Sequence, residues 1–337
     1  MIVNPKSVQS LRKPPISHDK KVTIEPPKSF DSMLFSLDEE IFGLLIRCVL
    51  DRIPIMIVGV DFDYIHRLAV EIAELVEFRK TKYFGIDFNR YAEYDDLMKE
   101  EHQIGCYKRY QFICRSDFLN DAFSMIPSFR SWILCHEYIG EETLIKELFR
   151  MHSKAESFLL IHVSYKEKNE SEQSHGSTNS SKLLFELDFR VKGKQFNKSL
   201  AFESGIKRQI EKSIESPRTA IYRLIKQAST VSIAKSRLSL SEFDRQVRQS
   251  LLQQLKGELY NLYTEASAVL PILDFLASKQ NEGGIQISDR IPLKLVNKSV
   301  ASNERILEFM QSEWDKNYAL AFLSGNDKLD LIESLWE

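Results

Sequence analysis

The sequence has no apolar run near the ~20 residues needed to span a bilayer, and its opening MIVNPKSVQSLRKPPISHDKK lacks the apolar centre of a signal peptide. No membrane association is expected, and the cytoplasm, or the nucleus of a eukaryotic cell, is the expected location. Cysteine is scarce. Cys48, Cys106, Cys114 and Cys135 are widely spaced and form no C-x-x-C pair, which excludes the usual zinc and redox-dithiol patterns. They are expected to be buried free thiols of a reducing compartment. An excess of either charge is also missing, because 46 Lys and Arg face 48 Asp and Glu for a net charge of −2. Attraction to a polyanion must therefore be local.

Catalytic signatures are equally sparse. The sequence contains no G-x-S-x-G, no G-x-G-x-x-G and no H-E-x-x-H. No two of the seven histidines stand at i, i+4 on one predicted helix. His136 and Glu137 are neighbours on a predicted strand, where successive side chains point to opposite faces and cannot share a substrate. The carboxylates of FGIDFNRYAEYDDLMKEE match no calcium-loop spacing and read as a solvated acidic face. No metal, cofactor or catalytic residue is expected.

What is present is a core and an alternating pattern. Hydrophobic residues make up 43% of 337 positions, enough for a sizeable interior. Residues 37–51 carry apolar side chains at helical spacing, and IPIMIVGV (53–60) is a short Ile/Val run of the kind buried on both faces of a sheet. Helical periods at 64–78 and 142–154 alternate with strand-like runs at 82–88, 130–139 and 157–165, with one more at 182–191. This order predicts an α/β fold with a parallel sheet flanked by helices. Two stretches break the pattern. Residues 1–30 hold five prolines and six Lys/Arg against two acids, the composition of a disordered basic arm, and KEKNESEQSHGSTNSSK (166–182) reads as a flexible loop.

After residue 204 the pattern is mostly helical. Ser216-Pro217 reads as a helix start, and Ser239 with Glu242 as a capping box ahead of Phe243, Val247, Leu251 and Leu255. From 205 to 257 eleven Lys/Arg outnumber four acids, whereas from 301 to 337 eight acids outnumber three bases. Lys207, Arg208, Arg245 and Arg248 are the contact candidates for a partner or a polyanion, with Tyr222 and Phe243 too few aromatics for base stacking. Trp314, Tyr318, Phe322 and Trp336 form an aromatic C-terminal end expected in the core, apart from Trp336 at the terminus.

The stretch SPRTAIYRLIKQASTVSIAKSRLSLSEFDRQVRQSLLQQL (216–255) resembles the helical lid of MoxR-type AAA+ ATPases and, more distantly, of minichromosome-maintenance helicases. The helix, apolar strand and turn at 37–67 sit where that family places its entry helix, first strand and phosphate loop. The resemblance implies a P-loop-like α/β domain over 31–204, a helical lid over 205–257 and a mostly helical C-terminal appendage over 258–337. It also implies that Arg218 corresponds to the lid arginine that reaches a γ-phosphate, a role suited to a bidentate, permanently charged guanidinium.

The catalytic pattern of that family fails here. The motif G-x-x-x-x-G-K-[ST] maps onto Gly59, Val60, Asp61, Phe62, Asp63, Tyr64, Ile65 and His66, keeping only the first glycine. Ile65 and His66 replace the phosphate lysine and the magnesium hydroxyl, and Asp61 and Asp63 place negative charge beside a polyanion. His136 and Glu137 map onto the acidic pair of the magnesium strand, and one carboxylate without lysine or metal cannot stabilise phosphoryl transfer. The expectation is a pseudo-ATPase acting as a structural, regulatory or adaptor subunit, with a protein partner that is an active AAA+ subunit or a second copy. Two alternatives stay open: a nucleic-acid-associated replication or repair factor using the basic lid, and a subunit whose Arg218 completes the ATP site of an active neighbour.

Overall fold

The computed structural model describes residues 19–24, 29–103, 108–138, 141–167, 183–193, 196, 199–228, 233–281, 301–316 and 318. The described residues form seven strands, β1 (Asp19–Ile24), β2 (Ile55–Gly59), β3 (Lys80–Phe84), β4 (Tyr110–Cys114), β5 (Trp132–Glu137), β6 (Phe158–Glu167) and β7 (Leu183–Lys192). They lie in one sheet in the order β1-β7-β6-β2-β5-β4-β3. The five strands from β6 to β3 are parallel, as the alternating pattern predicts, whereas β7 and β1 add antiparallel at one edge. β7 runs back along the whole of β6, from Glu167 opposite Leu183 to Phe158 opposite Lys192. Six residues of the expected N-terminal arm supply β1, pairing from Asp19 opposite Arg190 to Ile24 opposite Phe185. The segment 168–182, within the expected loop 166–182, lies outside the described residues, as do 1–18.

Helices cover both faces of the sheet. On one face stand α1 (Phe30–Ser36), α2 (Glu39–Leu50), α3 (Phe62–Ala73), α7 (Ala201–Ala228), α8 (Ile233–Asn281) and α9 (Asn303–Trp314), sharing one core with Ile55, Ile57, Ile133 and Ile161. On the other stand α4 (Tyr91–His102), α5 (Leu119–Met125) and α6 (Glu141–Lys154), around Phe112, Phe129, Trp132 and Met56. β2 and β5 are buried on both faces, which is why their sequences are continuous apolar runs. β4 escapes the sequence reading because YQFIC is five residues long and is flanked by Arg109 and Arg115.

The helical part behaves differently from the expected lid. α7 passes without interruption through Ser216, Pro217 and Arg218, and α8 through Ser239, so neither point is a helix start. The boundary at 257–258 falls inside α8. Ile206 and Ile210 of α7 and Val247, Leu251, Leu255 and Leu259 of α8 join the same core as Phe42 and Leu45 of α2, so this unit is packed into the body of the domain rather than standing apart. Cys48, Cys114 and Cys135 are buried free thiols, as expected, and burial pushes Cys135 up to about 12. Cys106 lies outside the described residues.

Two buried ion clusters tie α9 to the body. At the amino ends of the strands, Arg79 pairs with Glu313 and donates to the carbonyls of Val49 (2.5 Å) and Leu50 (2.8 Å) at the end of α2. Beside it Arg52 bonds Glu101 (2.6 Å) and the carbonyl of Tyr110 (3.0 Å). In the second cluster Arg47 and Arg305 share Glu203, at 2.9 and 2.7 Å, while Arg305 also meets Asp51 at 2.8 Å. The residues come from α2, α7 and α9, so three segments distant in sequence are joined by charge.

Candidate functional site

In an open α/β sheet a ligand binds beyond the carboxyl ends of the strands, where the winding direction reverses. That place is the end of β2. From β2 the chain goes to the far edge at β3, returns through β4 and β5, and then crosses to β6 on the other side of β2. Gly59 closes β2 opposite Glu137 of β5 and Val163 of β6. A β-carbon at Gly59 would stand 3.0 Å from Cγ2 of Ile65, 3.0 Å from the carbonyl oxygen of Val163 and 3.1 Å from its Cβ. Glycine is needed here for close packing of α3 on the sheet.

The connection that follows is short. Only Val60 and Asp61 separate β2 from α3, because the Asp61 carboxylate caps the helix by accepting from the backbone N–H of Tyr64 at 2.9 Å. Asp61 also accepts the Ile65 N–H at its own carbonyl, 3.0 Å away. The positions at which the motif requires glycine and lysine, Tyr64 and Ile65, therefore lie in the first turn of a helix, and Ile65 is 0% exposed in the core. A wide backbone cradle cannot form across two residues. The positive end of α3, where an anion would otherwise bind, already holds a carboxylate. Replacing Asp61 by Ala is expected to lower stability by about 1 kcal/mol, measured by urea unfolding, and to leave the fold intact.

His66, the eighth position of the motif, stacks on Phe62 with ring centroids 6.1 Å apart, and Arg115 at the end of β4 lies over the other ring at 4.9 Å. Burial and the Arg115 charge hold the His66 imidazole below its ordinary value, so at pH 7 it is neutral. His66, Phe62 and Arg115 thus form an aromatic and guanidinium layer along the first turn of α3. Arg115 gave no signal in the sequence because it follows its partner Phe62 at no motif spacing and meets it only through the parallel register of β2, β5 and β4.

His136 and Glu137 part company, as strand geometry requires. His136 turns into the second core, where burial and Arg150 hold it neutral. Glu137 lies on the α3 side and is exposed, with its backbone N–H donated to Ser116 Oγ at 2.9 Å. Among the described residues no group of three His, Cys, Asp or Glu is arranged to hold a metal ion.

The basic candidates separate into structural and surface groups. Lys207 is 6% exposed, donates to the carbonyl of Leu37 and lies over Phe42, so it is a core residue and cannot be the contact expected of it. Arg208 pairs with Glu39 at 3.2 Å, Arg245 with Glu242 at 2.6 Å and Arg248 with Asp31 at 3.5 Å. Arg218 lies on α7 four residues past half-buried Ile214, and its side chain is outside the described set. At the end of β2 the side chains of Val60 and Glu137 are exposed, while Ile65 is buried beneath the turn. Compared with protein-family profiles, curated proteins and solved structures, the chain gives no match.

Proposed function

We propose that this chain is a non-hydrolysing protein of AAA+-like design that serves as a structural, regulatory or adaptor subunit of a protein complex. The observation that carries the reading is the two-residue connection from β2 to α3, with the Asp61 carboxylate on the helix end and Ile65 buried beneath it. Each feature removes a different requirement of phosphate binding: loop width, free amides and positive charge. The central place of β2 between β5 and β6 supports a P-loop-like ancestry. Support for a protein partner comes from α6, where Ile145 (53% exposed) and Phe149 (73%) stand one turn apart on the solvent face.

The test is thermal unfolding of the full chain with and without millimolar magnesium ATP or ADP. Nucleotide at a hundred times its dissociation constant would stabilise the fold by about 2.7 kcal/mol. The expected result is an unchanged Tm with either nucleotide. A rise of a few degrees would overturn the reading.

A further inference from the structure

α8 packs one side of its second half into the body and leaves the other side bare. Leu255, Leu259, Leu262, Ala266, Val269 and Leu273 recur at the helical period and are buried in the core shared with α2 and α9. On the opposite face Gly257, Tyr260, Thr264, Ala268, Ile272 and Phe275 follow one another at three or four residues, so they stack in one stripe. It runs for about 27 Å at 1.5 Å per residue. Tyr260, Ile272 and Phe275 are 51, 43 and 59% exposed. A solvated helix face ordinarily carries charge, and charged residues make up 28% of this chain. Among the exposed described residues from Gln253 to Ser278, Asp274 alone is charged, and it already holds Lys316 at 3.2 Å and the hydroxyl of Tyr318. An exposed, uncharged stripe of this length is a contact surface.

The stripe is complementary to itself under a two-fold rotation. When a second α8 lies antiparallel across it, with the axis level with Ala266, residues nearly equally far before and after that position come opposite one another. Phe275 then meets Gly257 of the second copy, where a β-carbon would have nothing within 4 Å and the surface is open to a ring. Tyr260 meets the ring of Pro271, and Thr264 meets Ala268, a pair small enough to bring the helix axes within about 8–10 Å. On the flank, Lys256 comes beside Asp274 of the second copy, opposite in charge. Large side chains thus fall against small ones and a cation against an anion, which is what a surface built to receive its own copy requires.

We infer that the exposed face of α8 is the interface of an antiparallel, two-fold homodimer in which the stripe from Gly257 to Phe275 packs on its own copy. Roughly ten residues a side is fewer than the 20–30 of a standard interface, so the dimer is a weak one, with a dissociation constant of micromolar order. The inference does not rest on the reading of the β2–α3 turn. A monomeric protein would leave that reading intact, and a nucleotide-dependent Tm would leave this one intact.

The experiment is sedimentation equilibrium of the full chain from about 1 to 200 μM, a range that brackets a micromolar dissociation constant. Wild type is expected to pass from the mass of one chain to that of two. Thr264→Lys and Ala268→Glu each bring like charges together near the axis, and each alone is expected to stay monomeric with an unchanged Tm, since both positions are exposed. Mixed in equal amounts they are expected to recover the dimer, because the new ammonium at 264 of one copy faces the new carboxylate at 268 of the other. Phe275→Glu, which takes the ring away from Gly257, is expected to weaken the dimer by roughly tenfold or more. Wild type that is monomeric at the top of the range overturns the inference. So does a Thr264→Lys chain that dimerises like wild type, or a mixture that stays monomeric while wild type dimerises. A monomer whose Tm falls on Phe275→Glu would give the face to the chain's own residues 319–337, and a monomer that cosediments with phosphatidylcholine vesicles would give it to lipid.

Discussion

Replacing Glu313 by Ala is expected to destabilise the protein by about 3–5 kcal/mol and to lower its Tm by roughly 5–10 °C. Glu313 is buried at the end of α9, paired with Arg79 and with Arg52 and Arg109 close by. Its loss leaves three buried arginines around a missing anion. Arg79 would keep its bonds to the carbonyls of Val49 and Leu50, so part of the guanidinium stays satisfied and the cost stops short of full desolvation. Urea unfolding of Glu313→Ala beside the near-isosteric Glu313→Gln separates lost charge from lost volume. A change under 1 kcal/mol in both variants would show that α9 contributes little to holding the sheet.

The same clusters set the response to pH, and the signs differ between them. Burial raises the Glu313 pKa, but Arg79, Arg52 and Arg109 outweigh it and hold the carboxyl below its ordinary value. Its stabilisation is present above the unfolded value near 4.3 and is lost as pH falls through the lower folded value. At Asp51 burial outweighs Arg305 and Arg47, and the pKa is raised. The contribution of Asp51 is present below the unfolded value near 3.9 and is lost as pH rises through the folded one. Acid unfolding at pH well below 4 therefore reports Glu313, and Glu313→Gln should flatten that limb of the stability profile.

A lysine at Ile65, where the resemblance to AAA+ proteins places one, is expected to damage the fold without creating a nucleotide site. Ile65 has 0% exposure within the apolar core and its Cγ2 lies against the space above Gly59, so an ammonium there is shut off from solvent among apolar side chains. A buried lysine titrates near pH 5–6, and keeping it neutral at pH 7 costs about 4–5 kcal/mol relative to an ordinary pKa of 10.4. Because that folded pKa is depressed, the penalty shrinks as pH rises toward 10. Ile65→Lys should therefore unfold at much lower urea concentration at pH 7 than at pH 9.5, with no stabilisation by magnesium ATP at either. A nucleotide-dependent rise in Tm for Ile65→Lys would mean that the β2–α3 turn can reopen into a phosphate loop.

Much of the sheet was legible because its strands are buried on both faces. IPIMIVGV and WILCHE have continuous apolar runs that only the inside of a layered α/β fold can hide. The turn after β2 was legible for a similar local reason: Tyr64 and Ile65, where the resemblance places glycine and lysine, change volume and charge wherever the turn sits. Strand β1 was not legible, since DKKVTI is polar on one side and gains its ladder only from β7, some 160 residues later. The helix starts at Ser216 and Ser239 were misread because serine followed by proline, or by glutamate three residues on, marks a cap only where the chain before it is not already helical. Lys207 was misplaced because a cation's burial depends on an acceptor at the end of α1 and a ring from α2, which its own neighbours in sequence do not reveal.

By itself the sequence determined the α/β class, the buried thiols and the absence of the phosphate-loop residues, all of which follow from side-chain type and local period. Tertiary structure alone decided three things. The Asp61 carboxylate occupies the end of α3, so the anion site is filled rather than merely weakened. Arg47, Glu203 and Arg305 meet from positions 102 to 258 residues apart, so the helical unit is fixed to the body. Lys207 is buried, donating to the carbonyl of Leu37 and lying over Phe42, so a cation that local sequence offers to solvent is held in the core. Each outcome depends on pairwise distance, and charges act through distance in space, which periodicity along a chain does not encode.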